Sequence, residues 1–224
     1  MTKQENIFIA KRMVVDNIYR SAKLEGIAIT YAQTLDIVDN VTSSNLKPSD
    51  LNDIVNLKNG WKYILENLDR ELDLGLIKEL HTIIGHAMDI PFSEIGEFRQ
   101  SGVGIGGTTW RPEEPNTERL HNELMVIRKN TDIVDRAMEL FLWVQRNQMF
   151  RDGNKRIANL ISNHELIKNA AGIISIPEDY ITEFKKLLVD YYETNQTTRI
   201  KEFLHYHCFY SDMEFLSQAD RDNN

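Results

Sequence analysis

Gln148-Met149-Phe150-Arg151-Asp152-Gly153-Asn154-Lys155-Arg156 sets a compact polar turn between two apolar helical runs, and its reading decides how the rest of the chain is understood. Glycine and asparagine at a helix start leave backbone N–H groups free to meet an anion. The helix dipole favours negative charge at the same place, and Lys155 and Arg156 add counter-charge. Asp152 offers carboxylate oxygen to a divalent cation shared with phosphate. Read locally, the same residues serve equally well as a capped helix start with solvated basic side chains.

Outward from this turn the chain is almost all helical periodicity. Asp132 opens the run that leads into it, through Ile133, Ala137, Leu140, Phe141 and Val144. Asn116 opens another, through Leu120, Leu124 and Ile127. Further upstream, Ile7, Ile9, Met13, Val14, Ile18 and Leu24 recur at helical spacing over residues 4–24 and stop at Gly26. Short helices follow over residues 30–38, 50–68 behind Pro48, and 73–88, with a polar connection at 39–45. Downstream, the pattern predicts helices over 157–168, 177–192 and 198–208, and a polar, fraying tail at 211–224. The texture changes only between Pro91 and Pro115. There Val103 and Ile105 before Gly106-Gly107, and Thr108 to Trp110 after, predict a β-hairpin flap over residues 101–111. The expected architecture is mainly α, a helical bundle with that small hairpin. It divides into an N-terminal helical region at 1–40, a core at 41–210 and the tail.

A chain of 224 residues with 42% apolar and 27% charged residues is ordinary globular composition. The net charge of −8 argues against a general nucleic-acid or anionic-membrane binder. With one cysteine, Cys208, no internal disulfide forms. No signal-like start and no long apolar run are present, so the cytoplasm is the expected compartment.

The stretch from Phe150 through Arg156 resembles the core of the Fic family motif, H-x-F-x-D/E-G-N-G/K-R-x-x-R. Gly96-Glu97-Phe98-Arg99, followed by Val103, Ile105, Gly106, Gly107 and Pro112, is similar to that family's target-clamping flap. Ser21-Ala22-Lys23-Leu24-Glu25-Gly26 resembles the inhibitory S/T-x-x-x-E-G/N helix of one Fic class. The resemblance implies a helical Fic fold that binds ATP with Mg²⁺ and, in active members, transfers AMP to a hydroxyl of a protein target docked on the flap. It implies Asp152 for the metal and Gly153, Asn154, Lys155, Arg156 and position 159 for the phosphates, with Asn154 and Arg156 also catalytic. The group Phe184, Tyr191 and Tyr192 falls where relatives contact adenine, although simple helix packing explains it as well. Ser21, Glu25 and Gly26 would form the inhibitory element, Glu25 placing a carboxylate where the terminal phosphate must go. A solvated helix-end carboxylate is the plain alternative. The sequence allows a homo-oligomer without specifying one.

Two departures qualify the match. The family's catalytic histidine is Gln148 here, and an amide cannot take the acceptor's proton at neutral pH. Losing a general base costs about 10²–10⁴-fold in rate. Three residues after Arg156 the family's other arginine is Asn159, which is neutral and weakens both the expected grip on the terminal phosphate and the expected partner of Glu25. Lys155, where AMP-transferring members usually carry glycine, is similar to the Doc branch, whose member phosphorylates its target. This keeps a phosphotransferase open, as Gln148 keeps open a nucleotide-binding regulatory module without turnover. His205-Tyr206-His207-Cys208 gathers metal-binding side chains, but alternate residues on a helix diverge.

Overall fold

The computed structural model describes residues 1–41, 46–86 and 88–211; the expected tail therefore lies, beyond Ser211, outside the described residues. Side chains set most of the helix starts. Thr2 and Glu5 form a capping box at α1 (Lys3–Arg12), and Thr30 and Gln33 do so at α3 (Tyr31–Val38). Pro48 sits in the first turn of α4 (Pro48–Glu66). Asp73, Asn116 and Asp132 each accept a backbone N–H at the starts of α5 (Leu74–Gly85), α6 (Thr117–Ile127) and α7 (Ile133–Asn147).

The predicted helix over residues 4–24 is two helices. Met13 leaves helical geometry at φ −90° and ψ 3°, and α2 (Val14–Glu25) starts after it. The break lets α1 lie against α8 (Asn154–Lys168) while α2 packs on α3 and α4. Asn6 completes that docking: its side chain donates to the carbonyl of Gly172 at 3.0 Å and accepts the N–H of Gly172 at 2.7 Å. N-terminal residues Ile9, Ala10, Ile18 and Ala22 join the same buried core as Trp61, Leu80, Phe141 and Leu160.

The helices α7 and α8 form a hairpin with the most extensive packing in the fold, and every residue of α8 from position 156 to 167 is buried. Most polar side chains on this central helix therefore find partners, Arg156 Nε and His164 Nδ1 being buried exceptions. Arg136 pairs with Glu165 at 2.5 Å, and Asn163 hydrogen-bonds both backbone groups of Ile174. After α8 come β1 (Ile173–Ile174), α9 (Ile181–Thr194), α10 (Thr198–Phe203) continuing through a π turn at Leu204–Cys208, and β2 (Phe209–Tyr210).

The fold is mainly helical with one small antiparallel sheet, but that sheet lies elsewhere than the sequence suggests. It pairs Ile173 with Tyr210 and Ile174 with Phe209. Residues 101–111 form no strand; the chain turns at Gly106 and Gly107, the latter at φ 84°. Among the described residues no hydrogen bond is made by the backbone between Gly102 and Gly107. The expected hairpin is a loop because residues on its two sides never form a ladder. One buried guanidinium holds it instead.

Candidate functional site

Arg99 is 1% exposed and bonds to carbonyls from three segments. Its Nη1 donates to Ser101 at 2.6 Å, its Nη2 to Glu113, and its Nε to Gln148 at 2.6 Å. The backbone N–H of Arg99 adds a bond to the Met149 carbonyl. Both ends of the loop at 101–111 are thus fixed to the turn between α7 and α8. Below the loop lies a cleft of about 390 Å³, lined by Gly104, Ile105 and Gly106 from above and by Gln148, Asp152, Asn154 and Lys155 from the turn.

The turn is rigid through its own side chains. Asn154 is buried and braces Phe150 on both sides, accepting its N–H at 3.0 Å and donating to its carbonyl at 2.8 Å. Gly153, at φ 79°, carries the chain into α8, which has no side-chain cap. A Cβ at Gly153 would meet the Met88 methyl at 2.8 Å. The first turn of α8 therefore carries no side-chain cap, and the Asp152 carboxylate bonds the Gly153 N–H just ahead of it at 2.6 Å. The Asp152 side chain is 54% exposed, free to take a cation on its outer edge.

Three charged contacts close the inner side. Arg156, buried on α8, meets Asp53 of α4 at 2.5 Å and Asp152 at 3.3 Å, while its Nε is buried without a partner. Burial raises the pKa of Asp53 more than Arg156 pulls it down. Lys155 meets Glu25, the last residue of α2, at 2.6 Å. Gly26 ends that helix in a left-handed turn at φ 86°, and Ser21, one turn earlier, is buried. Ser21, Glu25, Lys155, Arg156 and Asn159 line a space of only about 10 Å³ between α2 and α8. The segment around Glu25 and the motif turn meet through Lys155 and not through a bond to position 159. Asn159 instead accepts a long bond from Asn163, at 3.4 Å.

Gln148 caps α7 in a left-handed conformation, φ 43°. Its amide nitrogen donates to the Gln145 carbonyl at 2.7 Å and approaches the Tyr192 hydroxyl at 3.2 Å, and its oxygen accepts from Asn154 at 3.2 Å. Tyr192 supplies no base, since burial pushes its pKa up. Of the three aromatic residues on α9, only Tyr192 lines the cleft, with Lys185, Leu188 and Val189. Phe184 is wholly buried against Phe141 and Phe203, and Tyr191 turns to the far side, its hydroxyl near the Leu142 carbonyl. The cleft face of α9 has the spacing 185, 188, 189, 192; positions 184 and 191 belong to the core face.

Three residues of the site escape sequence reasoning, and Arg99, named there only as part of the flap signature, escapes in its clamping role. Asp53 is the first of the three. Gln145 is buried, with Nε2 unpartnered beside the cleft. His81 is wholly buried on α5, its ring stacked on Phe150 at 3.8 Å and 3°. Its Nδ1 accepts the Gly96 N–H at 2.9 Å, and its Nε2 meets the Asp152 carbonyl at 3.1 Å. Burial pushes its pKa down to about 4. The histidines of the π turn after α10 contribute nothing to this cleft: His207 packs at a tilt against Tyr180 and Phe203, and His205 stacks with Phe209. Among the described residues no three His, Cys, Asp or Glu side chains gather for a metal, and no helix is long and apolar enough to cross a membrane.

Residues 71–166 match the model of the Fic/DOC family, which spans α5, the flap loop, α6, α7 and most of α8. Among solved structures, the chain is similar to a Fic domain containing signaling protein from Bacteroides thetaiotaomicron. That match has 21% identity and a TM-score of 0.70, covering 91% of this chain and 84% of that one. Fic-1 from C. elegans aligns at 17% identity and a TM-score of 0.71, covering 86% of this chain. A Fic family protein from Desulfovibrio desulfuricans G20 aligns at 16% and 0.67, covering 87%. This chain spans 58% and 62% of the lengths of those two. At such identities the likeness shows the fold. No curated protein matches the sequence. Residues 71–166 are thus similar to the Fic/DOC family over the motif and the flap, and the chain as a whole shares the fold of Fic-domain proteins.

Proposed function

We propose that the cleft binds ATP with Mg²⁺ for transfer of AMP to a hydroxyl of a protein docked on the flap, with Glu25 restraining the site and Gln148 slowing turnover. The observation that carries this reading is the uncapped start of α8 at Gly153, with the unpartnered Nε of Arg156 buried behind it. Both suit an anion of phosphate type. The exposed edge of Asp152 suits a hard cation with oxygen ligands, the other ligands coming from phosphate and water. Bound Mg²⁺ would neutralise phosphate charge. The unused backbone groups between Gly102 and Gly107 can receive an extended target segment by strand addition.

In the transfer the acceptor oxygen bonds the α-phosphorus, the bond to pyrophosphate breaks, and the hydroxyl proton passes to the departing pyrophosphate or to water. In this reading Lys155 and Arg156, released from their present carboxylate partners, would hold the departing negative charge. Gln148 can orient the hydroxyl by hydrogen bonding but cannot take its proton. Its three engaged contacts also favour a second reading, a nucleotide-binding module without turnover, in which Gln148 is a fixed part of the wall. Lys155 favours a third, a phosphotransferase.

Gln148→His, alone and with Glu25→Gly, decides among them. Label from α-³²P-ATP on a protein of a cell lysate is the expected result. Label only from γ-³²P-ATP makes the chain a phosphotransferase, and no label from either leaves the binding module.

A further inference from the structure

Gly96 donates its N–H to His81 Nδ1, so that nitrogen carries the lone pair and Nε2 carries the hydrogen. The ring is then a neutral donor to the Asp152 carbonyl through Nε2. A trans peptide is planar, with its C=O and N–H pointing opposite ways. Holding the Asp152 carbonyl against α5 therefore turns the Gly153 N–H away from His81, toward the Asp152 carboxylate that it meets at 2.6 Å. Gly96 lies just ahead of Arg99, the residue that grips both ends of the flap. One imidazole thus connects the flap's entry to the amide that opens α8.

The ring has no freedom to do otherwise. It is wholly buried and lies flat on Phe150, which the bonds to Asn154 fix in turn. The groups facing it from neighbouring elements are backbone, with the charges of Asp152 and Arg156 acting at longer range.

We propose that His81 is the positioning residue of the nucleotide cleft: it sets the Asp152–Gly153 peptide plane, and with it the phosphate-facing start of α8 and the direction of the Asp152 carboxylate, in register with the flap. The role rests on the nucleotide reading above. It differs from a packing role because each ring nitrogen does a separable job.

The test uses the full chain in a Glu25→Gly background with three added variants. His81→Gln keeps a donor at the reach of Nε2 and loses the acceptor for Gly96. His81→Asn keeps that acceptor and loses the donor to Asp152. His81→Phe keeps a ring and loses both. Circular dichroism and thermal melting confirm that each variant folds. In the nucleotide-free proteins, faster hydrogen exchange at the Gly96 amide is expected in the Gln and Phe variants, and slow exchange in the Asn variant.

Calorimetric titration with ATP and Mg²⁺ should then give near-reference affinity for His81→Gln. For His81→Asn and His81→Phe it should give about tenfold weaker affinity or worse, the usual cost of removing a partner behind a ligand. Equal losses in all three folded variants, or no loss in His81→Asn, overturn the proposal. If the reference itself binds no ATP, the nucleotide reading fails and the cleft role with it. The Gly96 exchange pattern would then report only that His81 anchors the loop.

Discussion

Lys155 Nζ lies 2.6 Å from Glu25 Oε2, tying the start of α8 to the end of α2. Both side chains are partly exposed, so the pair itself is worth about 1 kcal/mol or less. Its importance is competitive, because a lysine holding a carboxylate is less available to a phosphate. Glu25→Gly should lower the melting temperature by only a few degrees without ligand, through the lost pair and the helical glycine, and enlarge the shift caused by millimolar ATP with Mg²⁺. Each additional kcal/mol of ligand stabilisation raises the midpoint by roughly 2–4 °C in a chain of this size. A thermal melt with and without ATP checks both halves. The absence of a shift in either protein would falsify the phosphate site.

Asp53 holds the Arg156 guanidinium at 2.5 Å from inside the fold. Asp53→Asn keeps the shape and removes the charge, leaving a buried arginine with only the 3.3 Å contact to Asp152 as an ion pair. Stability should fall by about 2 kcal/mol, less than for a fully buried pair because the Asp53 side chain is 26% exposed. ATP affinity should rise at the same time, since a competing carboxylate is gone. Urea unfolding and calorimetry read the two opposite signs.

The left-handed Gly153 tests the turn itself. Gly153→Ala would hold a Cβ at φ 79° and press it on the Met88 methyl. A cost of about 1–2 kcal/mol is expected, measured by denaturant unfolding, together with weaker ATP binding. An alanine variant as stable as the parent would mean that this turn is not held in its left-handed form.

A pH dependence follows from His164, wholly buried on α8 with Nε2 at 3.1 Å from the Asn67 carbonyl and Nδ1 unpartnered. Burial pushes its pKa down from the usual 6.5. The unfolded chain then binds a proton that the folded chain refuses, so the stabilising contribution is complete above pH 6.5. It is lost progressively as pH falls from there through the depressed folded value. Between pH 7 and 5, His164→Gln should flatten the fall in urea midpoint seen for the parent; identical slopes would rule the group out.

Much of this fold can be read from local chemistry. Asp73, Asn116 and Asp132 announce their helices because a cap is a contact within one turn. The break at Met13 stays hidden since the residues on both sides keep one apolar period. Strands of two residues show no alternation, so the pairing of Ile173–Ile174 with Phe209–Tyr210 leaves no pattern to find. At the site, the motif turn and the segment around Glu25 are legible as compact signatures. Their actual link through Lys155 is not, because it joins residues 130 positions apart. Phe184 and Tyr191 mislead for a simple reason: aromatic character marks a helix face for the core as readily as for a ligand. Arg99 and His81 satisfy backbone groups of distant segments, and a backbone partner leaves no trace in side-chain identity.

The clamp between Asn6 and Gly172 gives the N-terminal helices a further significance. The Glu25 carboxylate that pairs with Lys155 is carried by a segment whose other end is built into the foundations of the molecule. Deleting the first forty residues would strip side chains from the common core and expose α8, yielding an unstable protein and not an unleashed one. If Glu25 does restrain the site as proposed, its relief would have to come as a local change, a side chain swung aside or a helix end loosened at Gly26, while the rest of the segment stays embedded in the core.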